Sequence, residues 1–109
     1  MAGLDANSTA AMSFDLEHDG DQGLTVTING ELDITNVDAL EAAVSSALER
    51  HPRRLTVELS GLRFADSSAI ALWVRWATAV HEIELRDVSA ILRRVIESMG
   101  LAETLNVTP

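Results

Sequence analysis

Two hydrophobic periods alternate along this chain, and their order constrains its fold more than any other feature. Apolar residues recur at every second position in Met12–His18 and again from Leu24 to Ile28, which is the period of a β-strand with one buried face. The turn-forming residues 19–23 between them predict a hairpin. Farther along, stretches with the 3.6-residue period of a helix alternate with strand-like stretches. A hairpin followed by this alternation requires crossover connections, so we predict an α/β domain with a mixed sheet.

Capping and breaking residues set the limits of three predicted helices. Thr35 predicts the start of an amphipathic helix that Pro52 stops. A second helix, over residues 67–80, is apolar nearly all round and is expected to be buried on more than one side. Ser89 predicts the cap of a third helix, and Gly100 stands where a glycine often follows a helix end. The third helix carries an apolar stripe of Ile91, Leu92, Val95, Ile96 and Met99. Strands are predicted over residues 54–60 and 82–88, and a short helical turn or a final strand over residues 101–107.

Composition excludes several kinds of site. The 109 residues fit one domain. Because the chain has no cysteine, it has no disulfide, no thiolate metal site and no cysteine nucleophile. The three histidines lack neighbours at ligand spacing, so neither a metal nor a cofactor is expected. The net charge is −9, and residues 1–49 contain ten acids without any Lys or Arg. This charge disfavours nucleic acid and anionic membranes as partners and favours a basic protein surface.

The ends of the chain suggest where the folded part lies. The first residues lack the basic and apolar regions of a signal peptide, and no segment reaches the roughly 18 apolar residues of a membrane span. We therefore expect a cytoplasmic protein. Residues 1–11 are small and polar and are predicted to form a flexible tail, which leaves residues 12–109 as the folded domain.

The segment Phe64–Ile70 carries the most informative local chemistry. The predicted strand over residues 54–60 precedes this segment, and Ser67 and Ser68 follow Asp66 into the first turn of a helix. The backbone N–H groups of a first helical turn lack partners within the helix, and the helix dipole is positive there. A phosphate on Ser67 would find donors at this point and would add about −1.5 to −2 charges beside Asp66. Taken alone, however, Asp-Ser-Ser is more often only a helix cap.

Other readings of the chain have weaker support. A catalytic Ser67 needs a base, but His81 lies at the far end of the same predicted helix, about 20 Å away. Trp73 and Trp76 are three residues apart, and core packing is favoured over an exposed partner patch. A nucleotide-binding module is disfavoured because the chain has no glycine-rich phosphate loop.

Four motifs follow one another at characteristic intervals. They are Gly30-Glu31-Leu32-Asp33, Phe64-Ala65-Asp66-Ser67-Ser68, the segment Ser89–Val95, and Ser98-Met99-Gly100-Leu101. Together they resemble the STAS domain of anti-sigma factor antagonists, over nearly the whole chain. The resemblance implies an α/β fold with a single STAS domain, in which about three to four α-helices pack mainly on one face of a mixed sheet of about four to five β-strands.

The resemblance implies a binding switch and not an enzyme. In this family the unphosphorylated antagonist binds an anti-sigma factor with a kinase-type ATP-binding fold, which releases a sigma factor. That partner phosphorylates the antagonist, and a phosphatase removes the phosphate. By position, Ser67 is the implied phosphoacceptor, Asp66 flanks it, Ser68 is a hydrogen-bonding neighbour, and Asp33 lies near the partner surface. A monomer or weak dimer is expected, with no direct contact to nucleic acid or membrane.

Two features of the chain depart from the family pattern. Ala69 stands where a small glycine usually follows the two serines, and the connection from the second helix to the next strand, within residues 76–83, is short and has no Gly or Pro. A second interpretation is therefore a STAS scaffold that is not phosphorylated, or an interaction subunit of a stress-signalling or lipid-transport complex. The phosphorylation state of Ser67 distinguishes the two.

Overall fold

The computed structural model describes residues 11–20 and 22–108. Within these ranges the chain forms five strands and four helices. In chain order they are β1 (Met12–Asp19), β2 (Gly23–Leu32), α1 (Val37–Leu48), β3 (Arg54–Glu58), β4 (Leu62–Ala65), α2 (Ser67–Ala79), β5 (Glu82–Arg86), α3 (Ala90–Ser98) and α4 (Ala102–Leu105). Except for Ala11, the predicted tail over residues 1–11 lies outside the described residues.

The five strands form one mixed sheet, in which four lie in the order β1-β2-β3-β5 and β4 is joined to β2. β1 and β2 form the predicted antiparallel hairpin, and β3 and β5 continue the sheet with parallel pairs. β4 pairs in parallel with the last residues of β2, beyond the end of β3. Gly30 donates its N–H to Gly61 at 2.9 Å, whereas Glu31 donates to Ala11 on the opposite edge, also at 2.9 Å. β3 and β4 therefore share one edge of β2, and β1 occupies the other.

Gly30 is the point where β2 changes partner from β3 to β4. The register shifts between Gly30 and Glu31, which marks a bulge. Gly30 has a φ of +91°, and a Cβ built on it would lie 2.2 Å from the carbonyl oxygen of Ala11. Only glycine fits both the backbone angle and this close approach. The Asn29-Gly30 pair, which is typical of tight turns, therefore bends the strand here without reversing it.

The hydrophobic core lies on one face of the sheet. Every second residue of the central strands is buried there, and the residues between them are polar and partly exposed. The buried strand residues are Leu24, Val26, Ile28, Leu55, Val57, Ile83 and Leu85. Helices α1 and α2 add Leu40, Val44, Ile70 and Leu72 to the same core. This arrangement is the predicted mixed sheet with helices on one face.

The second and third helices are buried to very different extents. Trp73 and Trp76 of α2 are both buried, so the prediction that they pack in the core is confirmed. In α3 only Ile96 is buried, and Leu92 is partly buried. The rest of the predicted apolar stripe remains in contact with solvent, at Ile91, Val95 and Met99.

Three local features differ from the sequence prediction. β4 was not expected as a strand, because four residues without a clear period carry no strand signal. Thr35 was expected to cap α1, but Asn36 holds that position and makes no side-chain cap hydrogen bond. Near the C-terminal end, the predicted helical turn forms as α4, whereas Val107 makes an isolated parallel bridge with Leu85 in place of the alternative final strand. Within the described residues, no helix has the length and apolar character needed to span a membrane.

Candidate functional site

Asp66 holds the start of α2 in place. It is the N-cap residue, in an extended backbone conformation, and its Oδ1 accepts the backbone N–H of Ser68 at 2.9 Å. Its own N–H donates to the carbonyl of Leu32 at 3.2 Å. A carboxylate at this position satisfies one of the free donors of the first turn and opposes the positive end of the helix dipole. The predicted capping role of Asp66 is thus visible in the geometry.

The same carboxylate also joins α2 to a second loop. Oδ2 of Asp66 accepts the backbone N–H of Ile34 at 3.2 Å. These two residues are 32 positions apart in the sequence and meet because Leu32 pairs with Ala65 at the ends of β2 and β4. Loops that follow neighbouring parallel strands lie at the same edge of the sheet, where α/β proteins commonly place their binding sites. Asp66 therefore fixes the two loops relative to each other.

A buried asparagine and an acid shape the loop after β2. Asn36 is 4% exposed; its Oδ1 accepts the N–H of Asp33 at 3.0 Å, and its Nδ2 donates to the carbonyl of Glu31 at 2.9 Å. The carboxylate of Asp33 accepts the hydroxyl of Thr35 and also its backbone N–H, the latter at 2.9 Å. These bonds from Thr35, the side-chain bond first, lower the pKa of Asp33 below its ordinary value. Asp33 is therefore ionised at neutral pH.

Ser67 is the exposed residue at the centre of this arrangement. It is the first residue of α2, and neither its hydroxyl nor its backbone N–H bonds to any described residue. Ser68 is partly buried, with its N–H held by Asp66. Ala69 is fully buried in the core, so its extra methyl group, compared with glycine, points away from the surface. The hydroxyl of Ser67 is consequently accessible to an incoming reactive group.

The structure brings Asp66, Ser67 and Ser68 together at one helix end and places the loop of Asp33 beside them. Sequence reasoning missed two residues of this region. Ile34 is 69% exposed and donates to Asp66, and Asn36 is the buried link within the loop. A lone apolar residue in a polar loop was the available signal for Ile34. Nothing in the local sequence marked Asn36 as buried.

Other chemistry has no structural support at this end of α2. His81 follows the opposite end of the helix, which puts it about 20 Å from Ser67 at 1.5 Å per residue. In the part of the chain that the structure describes, no three side chains of the His, Asp or Glu type are grouped as a metal site would require. The arrangement offers an exposed hydroxyl, two acids and, among the described residues, one free N–H in the first turn of the helix, that of Ser67.

Comparisons with known proteins agree with this fold. The family model described as "Mlab, STAS domain" matches residues 16–108. An anti-sigma factor antagonist from Mycobacterium paratuberculosis has a TM-score of 0.81 at 23% identity, with 94% of this chain and 90% of that chain covered. The Bacillus cell fate determinant SpoIIAA in its phosphorylated form has a TM-score of 0.67 at 25% identity, covering 89% and 92%. SpoIIAA in its unphosphorylated form has a TM-score of 0.76 at 22% identity, covering 89% of each chain. No curated protein sequence matches the chain.

Proposed function

Because the chain belongs to the STAS domain family, we propose that it is an anti-sigma factor antagonist whose binding is switched off by phosphorylation of Ser67. The observation that carries this proposal is the exposed and unbonded hydroxyl of Ser67 at the first residue of α2. Several neighbouring structures are anti-sigma factor antagonists, and SpoIIAA has been solved with and without phosphorylation. These likenesses support a regulatory role without enzymatic activity.

The proposed partner is an anti-sigma factor with a kinase-type ATP-binding fold. It would dock on the surface formed by the loop of Asp33 and Ile34 and by the start of α2. In the modification step, Oγ of Ser67 forms a bond to the γ-phosphorus of ATP, and the bond from that phosphorus to the bridging oxygen breaks, releasing ADP. The hydroxyl proton passes to a base on the partner. A phosphatase would hydrolyse the ester and restore the binding form.

The electrostatics of the site explain how such a modification would abolish binding. A phosphate on Ser67 adds about −1.5 to −2 charges next to the carboxylates of Asp66 and Asp33. It also competes with Asp66 for the N–H groups of the first turn of α2. A partner that fits the unmodified surface would have to bury this charge unpaired, which costs several kcal/mol. No large change of shape is needed for the switch.

The test combines partner capture with a mass measurement. Wild type, Ser67→Glu and the matched control Ser46→Glu, an exposed serine on α1, are used to capture proteins from host lysate. We expect an ATP-binding anti-sigma factor to be retained by wild type and by Ser46→Glu, and at least about tenfold less by Ser67→Glu. Adding ATP to the wild-type complex should add one phosphate, located on Ser67 by fragmentation.

The same experiment separates the second interpretation. If all three forms retain the same proteins and no phosphate appears, the phosphorylation switch is wrong. The chain would then act as a constitutive scaffold or subunit, which would contact its partners through this surface regardless of Ser67. If a phosphate appears on another serine, the surface is wrong although regulation by phosphorylation survives.

A further inference from the structure

A second surface lies along β4, on the side away from β2. Within the described residues β4 has one strand neighbour, β2, whereas β3 has β2 on one side and β5 on the other. The pairing of β5 with β3 ends where Arg86 lies opposite Glu58. No strand of the described chain therefore continues the sheet next to β4. One edge of β4 is left without a hydrogen-bonded ladder, which is a template for another strand.

A groove separates this free edge from α3. It has a cavity volume of about 470 Å³ and is lined by Leu62, Arg63, Phe64, Ala65, Ser89, Ile91, Leu92 and Val95. Successive side chains of a strand point to opposite faces of the sheet. All four residues of β4 nevertheless line the cavity, so the groove runs along the edge of the strand and not over one face. Strand and helix thus form its two walls.

The walls of the groove are apolar and uncovered. Phe64 is 52% exposed on β4, and on α3 Ile91 is 79% and Val95 42% exposed. Leu92, which is partly buried, lies between them in the lining. A continuous apolar surface of this kind is typical of an interaction site, because covering it removes hydrocarbon from water.

The charge in the lining of the groove is opposite in sign to that of the whole chain. Arg63 is the one charged residue in the lining, although the chain has a net charge of −9. The closest ion-pair contact of Arg63 is with Glu31 at 3.9 Å, which is too long for a hydrogen bond. An acidic partner is therefore favoured, and a second copy of this acidic chain is disfavoured by repulsion.

We propose that this groove binds an extended acidic segment of a partner protein, which adds to the free edge of β4 as a further strand. Main-chain hydrogen bonds to β4 would supply affinity. Alternate apolar side chains of the segment would pack between Phe64 and Ile91, and its acidic side chains would approach Arg63. The groove ends at Ala65, two residues before Ser67, but the proposal does not depend on phosphorylation of Ser67.

Nuclear magnetic resonance with a synthetic probe tests this proposal. The probe is an acetylated and amidated hexapeptide of alternating glutamate and valine, added to the full-length, nitrogen-15-labelled protein. We expect changes in amide shifts confined to Leu62–Ala65 and residues 89–96, with a dissociation constant below about 1 mM. A peptide with lysine in place of glutamate should bind at least about tenfold more weakly, and a fully N-methylated peptide should not bind.

Protein variants provide the matched controls. Arg63→Glu should weaken binding of the probe at least about tenfold, whereas Arg53→Glu, an exposed site with the same charge change, should leave it within about twofold. Ser67→Glu should also leave it within about threefold, since its side chain lies outside the groove. Because Arg63, Arg53 and Ser67 are all exposed, each variant is expected to fold.

Several results would overturn the proposal. The absence of shifts at millimolar probe excludes an acidic strand, and equal binding of the lysine peptide excludes charge complementarity. Equal binding of the N-methylated peptide means that the groove takes apolar chains without strand pairing. Shifts in the same residues on raising the protein concentration alone, without any probe, would assign the groove to a second copy.

Discussion

Helices α2 and α3 begin in the same way, but most large apolar residues of α2 are buried and most of those of α3 are not. Each starts at a polar cap, since Asp66 accepts the N–H of Ser68 and Ser89 accepts the N–H of Leu92. Each is followed by a run of large apolar residues. α2 is enclosed by α1, α4 and the sheet, so its apolar residues are buried, whereas α3 packs chiefly on α4 and leaves one side open. The sequence of α2, apolar nearly all round, already predicts its burial, whereas the exposure of the α3 stripe is decided by the position of that helix in the fold.

The two regions are suited to different kinds of recognition. The start of α2 is held by hydrogen bonds whose donors and acceptors are fixed, so a change of charge there has a large effect on a docked partner. The β4–α3 groove has apolar walls and an unpaired strand edge. Binding there would therefore depend on the apolar area that is buried and on main-chain hydrogen bonds to β4. One small domain can thus present a switchable surface and a constitutive one.

The largest expected difference is in the free energy of unfolding that is lost when an apolar residue of each helix is replaced by alanine. Trp73→Ala removes a fully buried side chain and should lower the free energy of unfolding by about 3–5 kcal/mol. Ile91→Ala removes a side chain that is mostly in water and should change it by less than about 0.5 kcal/mol. Urea denaturation measures both. A large loss in Ile91→Ala would mean that α3 is covered in solution and would contradict the open groove.

A smaller difference in stability is expected between variants that remove the cap of α2, Asp66, and the cap of α3, Ser89. Asp66→Ala removes the bonds to Ser68 and to Ile34 and should cost about 1–2 kcal/mol of stability, whereas Ser89→Ala, which removes one bond to Leu92, should cost about 0.5–1 kcal/mol. Asp66→Asn keeps one acceptor oxygen and loses one of the two bonds, so its stability should lie between those of wild type and Asp66→Ala. The same denaturation experiment compares the three. Equal losses for the two alanine variants would show that the link between the loops adds nothing to stability.

The smallest expected effect is a pH dependence confined to the loop after β2. The pKa of Asp33 is lowered in the folded chain by its bonds from Thr35, so its ionised form stabilises the fold. This contribution is fully present above the ordinary carboxyl pKa of 3.8 and is lost as the pH falls through the lower pKa of the folded chain. Asp33→Asn should flatten that part of the stability curve. A carboxyl titration of Asp33 by nuclear magnetic resonance that gives a pKa above 3.8 would contradict the geometry of the loop.

Much of the fold could be predicted because its signals are local. The hairpin follows from strict alternation in Met12–His18 and Leu24–Ile28, and the start of α2 follows from Asp66 as a cap. β4 was missed because its four residues become a strand only through pairing with the end of β2. The shift at Gly30 that makes this pairing possible depends on contacts with Ala11 and Gly61, which are distant in sequence.

In the candidate site, too, the residues with local sequence signals could be predicted, and those that depend on distant contacts could not. Ser67 and its neighbours could be singled out because a cap motif and a family resemblance coincide there. The bond from Ile34 to Asp66 could not be predicted, because it depends on the register that sets Leu32 opposite Ala65. The exposure of one side of α3 could not be predicted either, because an apolar stripe does not show whether another element covers it.

The close packing at Gly61 makes the length of the segment that follows it critical. A Cβ at Gly61 would lie 2.0 Å from Oδ1 of Asn29, and the carbonyl of Gly61 is already engaged by Gly30. Asp66 is anchored by Ile34 at the other end of this segment. With both ends pinned, one inserted or deleted residue between them would uncouple the two loops. The number of residues from Gly61 to Asp66 is therefore fixed by the contacts at its two ends.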